Sequence, residues 1–349
     1  MKKPDDYLWD GSGPTDPQVR RLETALGILR SKRPVPDATA AVAPGRRVRL
    51  PWLAPALAAA ALVVLLASGA FLARHRIGMA LSGWRVEAIE GASRVGSEPL
   101  EQGASTRLAP GRPVQTADGA RARLVAGWIG RVDVEPRTTL ELLQAGSGSH
   151  RLALRRGTIH ARISAPPRFF SVETPLAVAV DMGCAYSLHV DDEGAAVLTV
   201  TAGWVSLQWR GRESFVPTGA RCRTWAGAGP GAPAFSDADP GFLESLDRFD
   251  DPSREPASGA ADLGRVLEKA RARDALTLWH LLARIDTVAA TDRARVHDRL
   301  AGFVAPPAGV TREGVLAGDR RMLESWWEAL GLGSADWWRR WRHSIPEPR

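Results

Sequence analysis

From Leu50 to Ala73 the chain runs LPWLAPALAAAALVVLLASGAFLA, 24 residues without a charge. At about 1.5 Å per residue, a helix over this run reaches roughly 36 Å, enough to cross a hydrocarbon core of about 30 Å. Pro51 and Pro55 fall at its start, where missing backbone donors cost least, and Trp52 takes an interfacial position. The length and the basic flanks (Arg46, Arg47 and Arg49 before, Arg74 and Arg76 after) distinguish the run from a buried core helix. Nearly fifty residues precede it, far more than the leader of a cleaved signal peptide. The run is therefore expected to be an uncleaved single transmembrane helix, with the lipid bilayer as a partner. Lys32, Arg33, Arg46, Arg47 and Arg49 outnumber Arg74, Arg76 and Arg85 across it. That asymmetry predicts an inner (cytoplasmic) membrane protein with its N-terminus cytoplasmic and its C-terminus extracytoplasmic.

The anchor also accounts for the charge. The 349 residues carry a formal +7, a value that suggests nucleic acid until it is located. Residues 1–50 hold ten Lys/Arg against six acids, and Arg74 and Arg76 add two more positive charges. Residues 77–349 are left with only +1, too little for a face that neutralises phosphates. Nucleic acid is not expected as a direct partner.

The expected architecture is multidomain: a single transmembrane helix, an all-β extracytoplasmic domain and a small all-α C-terminal domain. Residues 1–49 read as a cytoplasmic tail with one helix. Asp16 suits the N-cap and Pro17 the first helical position, and Val19, Leu22, Leu26 and Leu29 then share one face. One short helix cannot bury that face alone, so it is expected to bind a partner. Residues 50–73 are the anchor. Residues 84–225 alternate at period two, as in Ala122, Leu124, Ala126 and in Ile159, Ala161, Ile163, with Gly, Pro and Asp turns between the runs. Tyr186–Val190, Val197–Val200 and Trp204–Leu207 read as a three-stranded meander. Residues 226–261, rich in Gly, Pro and Ala, read as a linker. Residues 262–345 change to helical spacing, with Pro306 and Pro307 stopping the third of four or five helices.

Chemistry-bearing motifs are scarce. No phosphate-binding glycine loop, nucleophile elbow or His-Glu-x-x-His zinc motif occurs, and the seven histidines are scattered. His189, Asp191 and Asp192 could face a metal, but carboxylates and glycine are what a solvated hairpin tip requires anyway. Nothing fixes a separation for Glu173 and Asp181 as paired carboxylates. No catalytic residue, metal site or cofactor is expected, and the chain is expected not to be an enzyme. The two cysteines, Cys184 and Cys222, would both lie outside the membrane. A disulfide is the economical reading there, with two separate buried thiols as the alternative. Six of the thirteen tryptophans lie in the helical part, and Trp337, Trp338 and Trp341 alternate with arginines. That pattern suits a membrane surface or partner groove, or a terminal helix docked on its own domain.

Four pieces of the β-rich stretch carry a resemblance: Thr116–Leu124 (TADGARARL), Leu152–Ala161 (LALRRGTIHA), Phe170–Pro175 (FSVETP) and Val197–Val205 (VLTVTAGWV). In that order and spacing they resemble the FecR domain, the extracytoplasmic part of FecR-family transmembrane regulators. The resemblance implies an anti-sigma-factor-like regulator in which the outer domain receives a signal, from an envelope protein still unknown, and the tail acts on a cytoplasmic sigma-factor-like protein. Val19, Leu22, Leu26 and Leu29 would be the partner-binding residues. The tail has no Cys or His before His75, so it is not a zinc-bound anti-sigma module. The alternative is a membrane-tethered binding or scaffolding protein whose tail only anchors it.

Overall fold

The computed structural model describes residues 83–332, apart from 147 and 285–287. The tail, the anchor and the Trp337–Trp341 stretch lie outside the described residues. Among those described, no helix is long and apolar enough to cross a membrane.

The alternating runs become strands of two sheets. One sheet runs, edge to edge, through β4 (Ser105–Arg107), β1 (Arg85–Glu90), β6 (Arg121–Ala126), β7 (Gly130–Val134), the second half of β9 (His150–Ile163), β12 (Ala185–Val190), β13 (Ala196–Ala202), β16 (Ala220–Trp225) and β18 (Ala234–Phe235). The other runs through β3 (Glu98–Leu100), β2 (Ser93–Val95), β5 (Pro113–Thr116), β8 (Thr139–Ala145), the first half of β9, β10 (Phe170–Thr174), β11 (Ala177–Asp181), β14 (Trp204–Trp209) and β15 (Arg212–Pro217). A short β17 (Gly229–Pro230) pairs with the end of β16. All neighbours are antiparallel except β9 and β10. The inward residues of both sheets, among them Leu124, Val132 and Leu188 from one and Val114, Leu140 and Leu207 from the other, form one buried core.

Strand β9 belongs to both sheets. Its first half pairs with β8 and β10, its second half with β7 and β12. Leu152 and Leu154 point inward before the bend, Ile159, Ala161 and Ile163 after it, so the inward phase shifts by one residue at Gly157. Such a shift would turn every later side chain outward on a straight strand. Here it keeps both halves facing one core. Gly157 takes φ +94, and a Cβ there would lie 2.3 Å from Thr138 Oγ1. Gly203 plays a related part. The expected meander holds for β12 and β13, but β14 does not join them: at Gly203 the chain leaves one sheet and enters the other, beside β11. A two-residue turn signal does not encode which sheet receives the next strand.

The expected linker is also corrected. Residues 226–261 contain β17, β18, helix α1 (Pro240–Asp250) and the start of helix α2 (Pro256–Lys269). Asp239 caps α1, its side chain accepting from the Gly241 and Phe242 N–H groups. Small residues suit the segment because it packs closely: Ala232, Ala234 and Ala238 are buried. Asp250 accepts from the Ala232 N–H and pairs with the buried guanidinium of Arg284 at 2.5 Å. Helices α3 (Ala275–Ala283), α4 (Ala290–Phe303), α5 (Arg312–Ala317) and α6 (Arg320–Ala329) follow. Their apolar faces are those read from the sequence, with Leu278, Leu281, Leu282, Val296, Leu300, Leu323 and Trp326 buried.

These helices are not an independent domain. The described strands and helices belong to one compact unit. Leu276 and Trp327 join the core of the sheets, and Trp279 packs against both cores. At the open edge of the second sheet the Phe215 N–H donates to His280 Nε2 at 3.0 Å, and His280 Nδ1–H donates to the Leu276 carbonyl at 2.8 Å. The imidazole is thus held neutral and covers an edge amide that a lone sheet would leave bare. Gly157→Ala should cost about 2–5 kcal/mol, the sum expected for a strained φ and a forced contact, read as a lower denaturant midpoint with unchanged m-value.

Candidate functional site

Val19, Leu22, Leu26 and Leu29, expected to bind a partner, lie outside the described residues. The other sequence candidates are scattered over the fold. His189 Nδ1 bonds Thr158 Oγ1 at 2.8 Å, Asp191 closes its own turn on the Ala195 N–H, and Asp192 faces Arg156 at 3.5 Å. Glu173 pairs with Arg151, away from Asp181. Among the described residues no group of three His, Cys, Asp or Glu could hold a metal.

The expected Cys184–Cys222 disulfide is not formed. Both are free, buried thiols. Register gives the reason. Cys222 lies opposite Leu198, which lies opposite Leu188, and Cys184 precedes Leu188 by four residues. Two strand spacings across and four residues along separate them by roughly 16 Å, whereas bridged Cα atoms lie about 4.4–6.8 Å apart. Cys222 donates to the Gly231 carbonyl at 3.2 Å, and burial pushes its pKa up to about 12. It borders a cavity of about 50 Å³ between β16 and α1, lined also by Val197, Leu243 and Asp247. That is well below the roughly 300–1,000 Å³ of small-molecule pockets.

The most unusual chemistry lies where β11 leaves the second sheet for β12 in the first. Asp181 is fully buried, and Cys184 Sγ donates to its Oδ2 at 2.5 Å while the Gly183 N–H donates to Oδ1 at 2.6 Å. Burial raises the Asp181 pKa to about 7, the two hydrogen bonds offsetting only part of that rise. Burial and the neighbouring carboxylate push the Cys184 thiol and then the Tyr186 phenol upward as well. A thiol so disfavoured as thiolate is no nucleophile. The Gly203 crossover presses on the same spot, since a Cβ there would lie 2.4 Å from the Gly183 carbonyl oxygen. Asp181, Cys184 and Tyr186 therefore sit together at a joint between two sheet crossovers, where burial raises the pKa of the Asp181 carboxyl. Sequence reasoning tried Asp181 against Glu173 and missed the partner three residues on; the spacing Asp181-x-x-Cys184 across a glycine was the available signal.

With this geometry in view, the chain was compared with known proteins. No family model matches it, and no curated protein matches it significantly. Two crystal structures of a candidate anti-sigma factor from Parabacteroides distasonis are similar in part, at 14% identity and TM-score 0.32. The similarity covers 44% and 45% of this chain and 73% and 74% of those chains. A likeness at this level carries neither activity nor partner to the present protein.

Two measurements check the joint. Without reductant, native protein should resist thiol alkylation, and denatured protein should take up label at both Cys184 and Cys222. The pH dependence follows from the raised Asp181 pKa. Below about pH 4 the carboxyl is protonated folded or unfolded; between there and about 7 only the folded state keeps the proton. Stability should therefore fall as pH rises across that window, by a few kcal/mol at most, and level off above it. Asp181→Asn should flatten this part of the stability–pH curve in denaturant titrations.

Proposed function

We propose that the chain is a single-pass membrane regulator of FecR type, relaying an envelope signal to a cytoplasmic sigma-factor-like partner. One observation carries the reading. The pieces that resemble the FecR domain include Gly119, Gly157 and Gly203, and each of these sits where the chain passes between the sheets, at φ +72, +94 and +73. Three of the four pieces thus include a glycine at which the chain passes between the sheets.

In this reading the outer unit is a non-catalytic receiver. The cavity beside Cys222 is small, about 50 Å³, and the buried carboxyl–thiol joint is expected to act on stability. A signal would then act by contact with another envelope protein. Inside the cell, the helix beginning at Asp16 would present Val19, Leu22, Leu26 and Leu29 to the partner. Full burial of four aliphatic side chains is worth roughly 1.5–3 kcal/mol each before ordering costs, enough for a specific contact.

Leu22→Asp would put a charge at the centre of that face. It should abolish co-purification of the cytoplasmic partner from membranes while leaving the amount of membrane-bound protein unchanged. Glu23→Lys, on the neighbouring face, should have little effect. Capture by Leu22→Asp equal to wild type would overturn the regulator reading in favour of a tethered scaffold.

A further inference from the structure

One end of the first sheet differs from the rest of the surface. Cross-strand register places Arg107 opposite Arg85, Arg85 opposite Val125, Val125 opposite Arg131 and Arg131 opposite Arg162. Their neighbours Val86, Leu124, Val132 and Ala161 are buried, so this row lies on the outer face. Arg85, Arg107 and Arg162 are exposed and make no ion pair or hydrogen bond among the described residues, while Arg131 only approaches Asp133 at 3.9 Å. Like charges side by side on adjacent strands repel, so such a row is a cost the isolated fold does not need.

Beside the row, the β6–β7 turn holds out Trp128, 47% exposed. The indole is not loose. It packs on Phe169 at 5.1 Å, Phe169 packs on His150 at 5.3 Å, and His150 Nδ1 accepts the buried Trp84 indole N–H at 3.0 Å. Trp84 immediately precedes β1, so the chain enters the fold at this same end. The connections around the row, residues 108–112, 127–129 and 164–169, contain no acid. Along the strands on the same face the acids Glu87 and Asp133 follow, both opposite Arg123, to which Asp133 is bonded. The opposite end carries Asp118, Glu135, Asp191, Asp192 and Glu193 together with Arg121, Arg137 and Arg156, which pair with Glu135, Asp118 and Asp192.

We infer that this end is a lipid-docking surface, in which Trp128 enters the interface of the membrane and Arg85, Arg107, Arg131 and Arg162 meet anionic phospholipid headgroups. The inference rests on the membrane-anchored reading above. Only residues 74–83 separate the apolar run from the fold, a tether of at most about 35 Å. An aromatic ring at headgroup depth with arginines around it is the composition a bilayer surface selects, whereas the core of a protein interface is depleted of charge. Docking would fix the receiver with its opposite, mixed-charge end outward, available to an envelope partner.

The test uses the full chain in nanodiscs, spin-labelled at Trp128→Cys or, as a second site on the same end, Ala109→Cys; the native thiols are buried and stay unlabelled. Asp118→Cys reports the far end. With phosphatidylglycerol present, labels at 128 and 109 should be shielded from a polar relaxation agent and the label at 118 should not. Arg85→Glu with Arg162→Glu, or discs of phosphatidylcholine alone, should return them to water. If carbonate-resistant, membrane-integral protein shows all three labels equally exposed, docking is overturned while anchoring stands. Shielding seen only in whole envelope extracts would assign the surface to a protein partner and overturn the lipid assignment. If the chain does not integrate, anchoring fails, and docking then requires sedimentation with phosphatidylglycerol vesicles. The double variant should weaken that by about 25-fold or more, at roughly five-fold per arginine; no sedimentation of wild type would overturn it.

Discussion

A strand can have only two hydrogen-bonded neighbours at any point along its length, yet β9 must satisfy four. It does so by spending its first half on β8 and β10 and its second on β7 and β12, with Gly157 at the change. Everything else in the fold hangs on that division. Because the same strand runs through both sheets, their separation and relative twist are set by covalent geometry as well as by packing. The one-residue shift of inward phase then lets Leu154 and Ile159 enter a common core from the two halves. The crossovers near Gly203 and Gly183 lie against each other at the neighbouring strands, where Asp181 and Cys184 are sealed between them. The buried polar pair is a by-product of bringing two backbones that close.

The helices answer a different need. The second sheet ends at β15, and the Phe215 N–H on that strand takes a partner from the helices. The sequence supplies a neutral histidine for it, flanked by Trp279 and Trp327, with ring centroids 5.1 and 5.7 Å from that of His280. Burial lowers the His280 pKa to about 3, so the imidazole stays an acceptor at Nε2 through the physiological range. A lysine or a protonated histidine at that point could not accept. Trp279 and Trp327 thus belong to a seam with the sheet, while Trp326 is buried among the helices.

The strands and helices were legible because burial on one face writes a period into the sequence: Val132 and Val134, or Leu278, Leu281 and Leu282, could be read directly. What was not legible depended on non-local register. The Cys184–Cys222 spacing says nothing of β13, the strand that lies between them. The turn at Gly203 looks the same whether the next strand stays or leaves. The stretch around Ala232–Ala238 looked like a linker because close packing and flexibility both call for small residues. Arg85, Arg107, Arg131 and Arg162 are spread over 78 positions and become a row only when five strands are aligned.

The His280 cap also sets a timetable for biosynthesis. The amide it covers belongs to a residue made 65 positions earlier. At roughly 5–20 residues per second, ribosomal elongation leaves that edge bare for about 3–13 seconds after Phe215 is added. During that interval β15 can recruit any passing extended chain, including another nascent copy of this one. The C-terminal helices therefore close an edge made before them, and a chain ending between Phe215 and His280 would lack the imidazole that covers it.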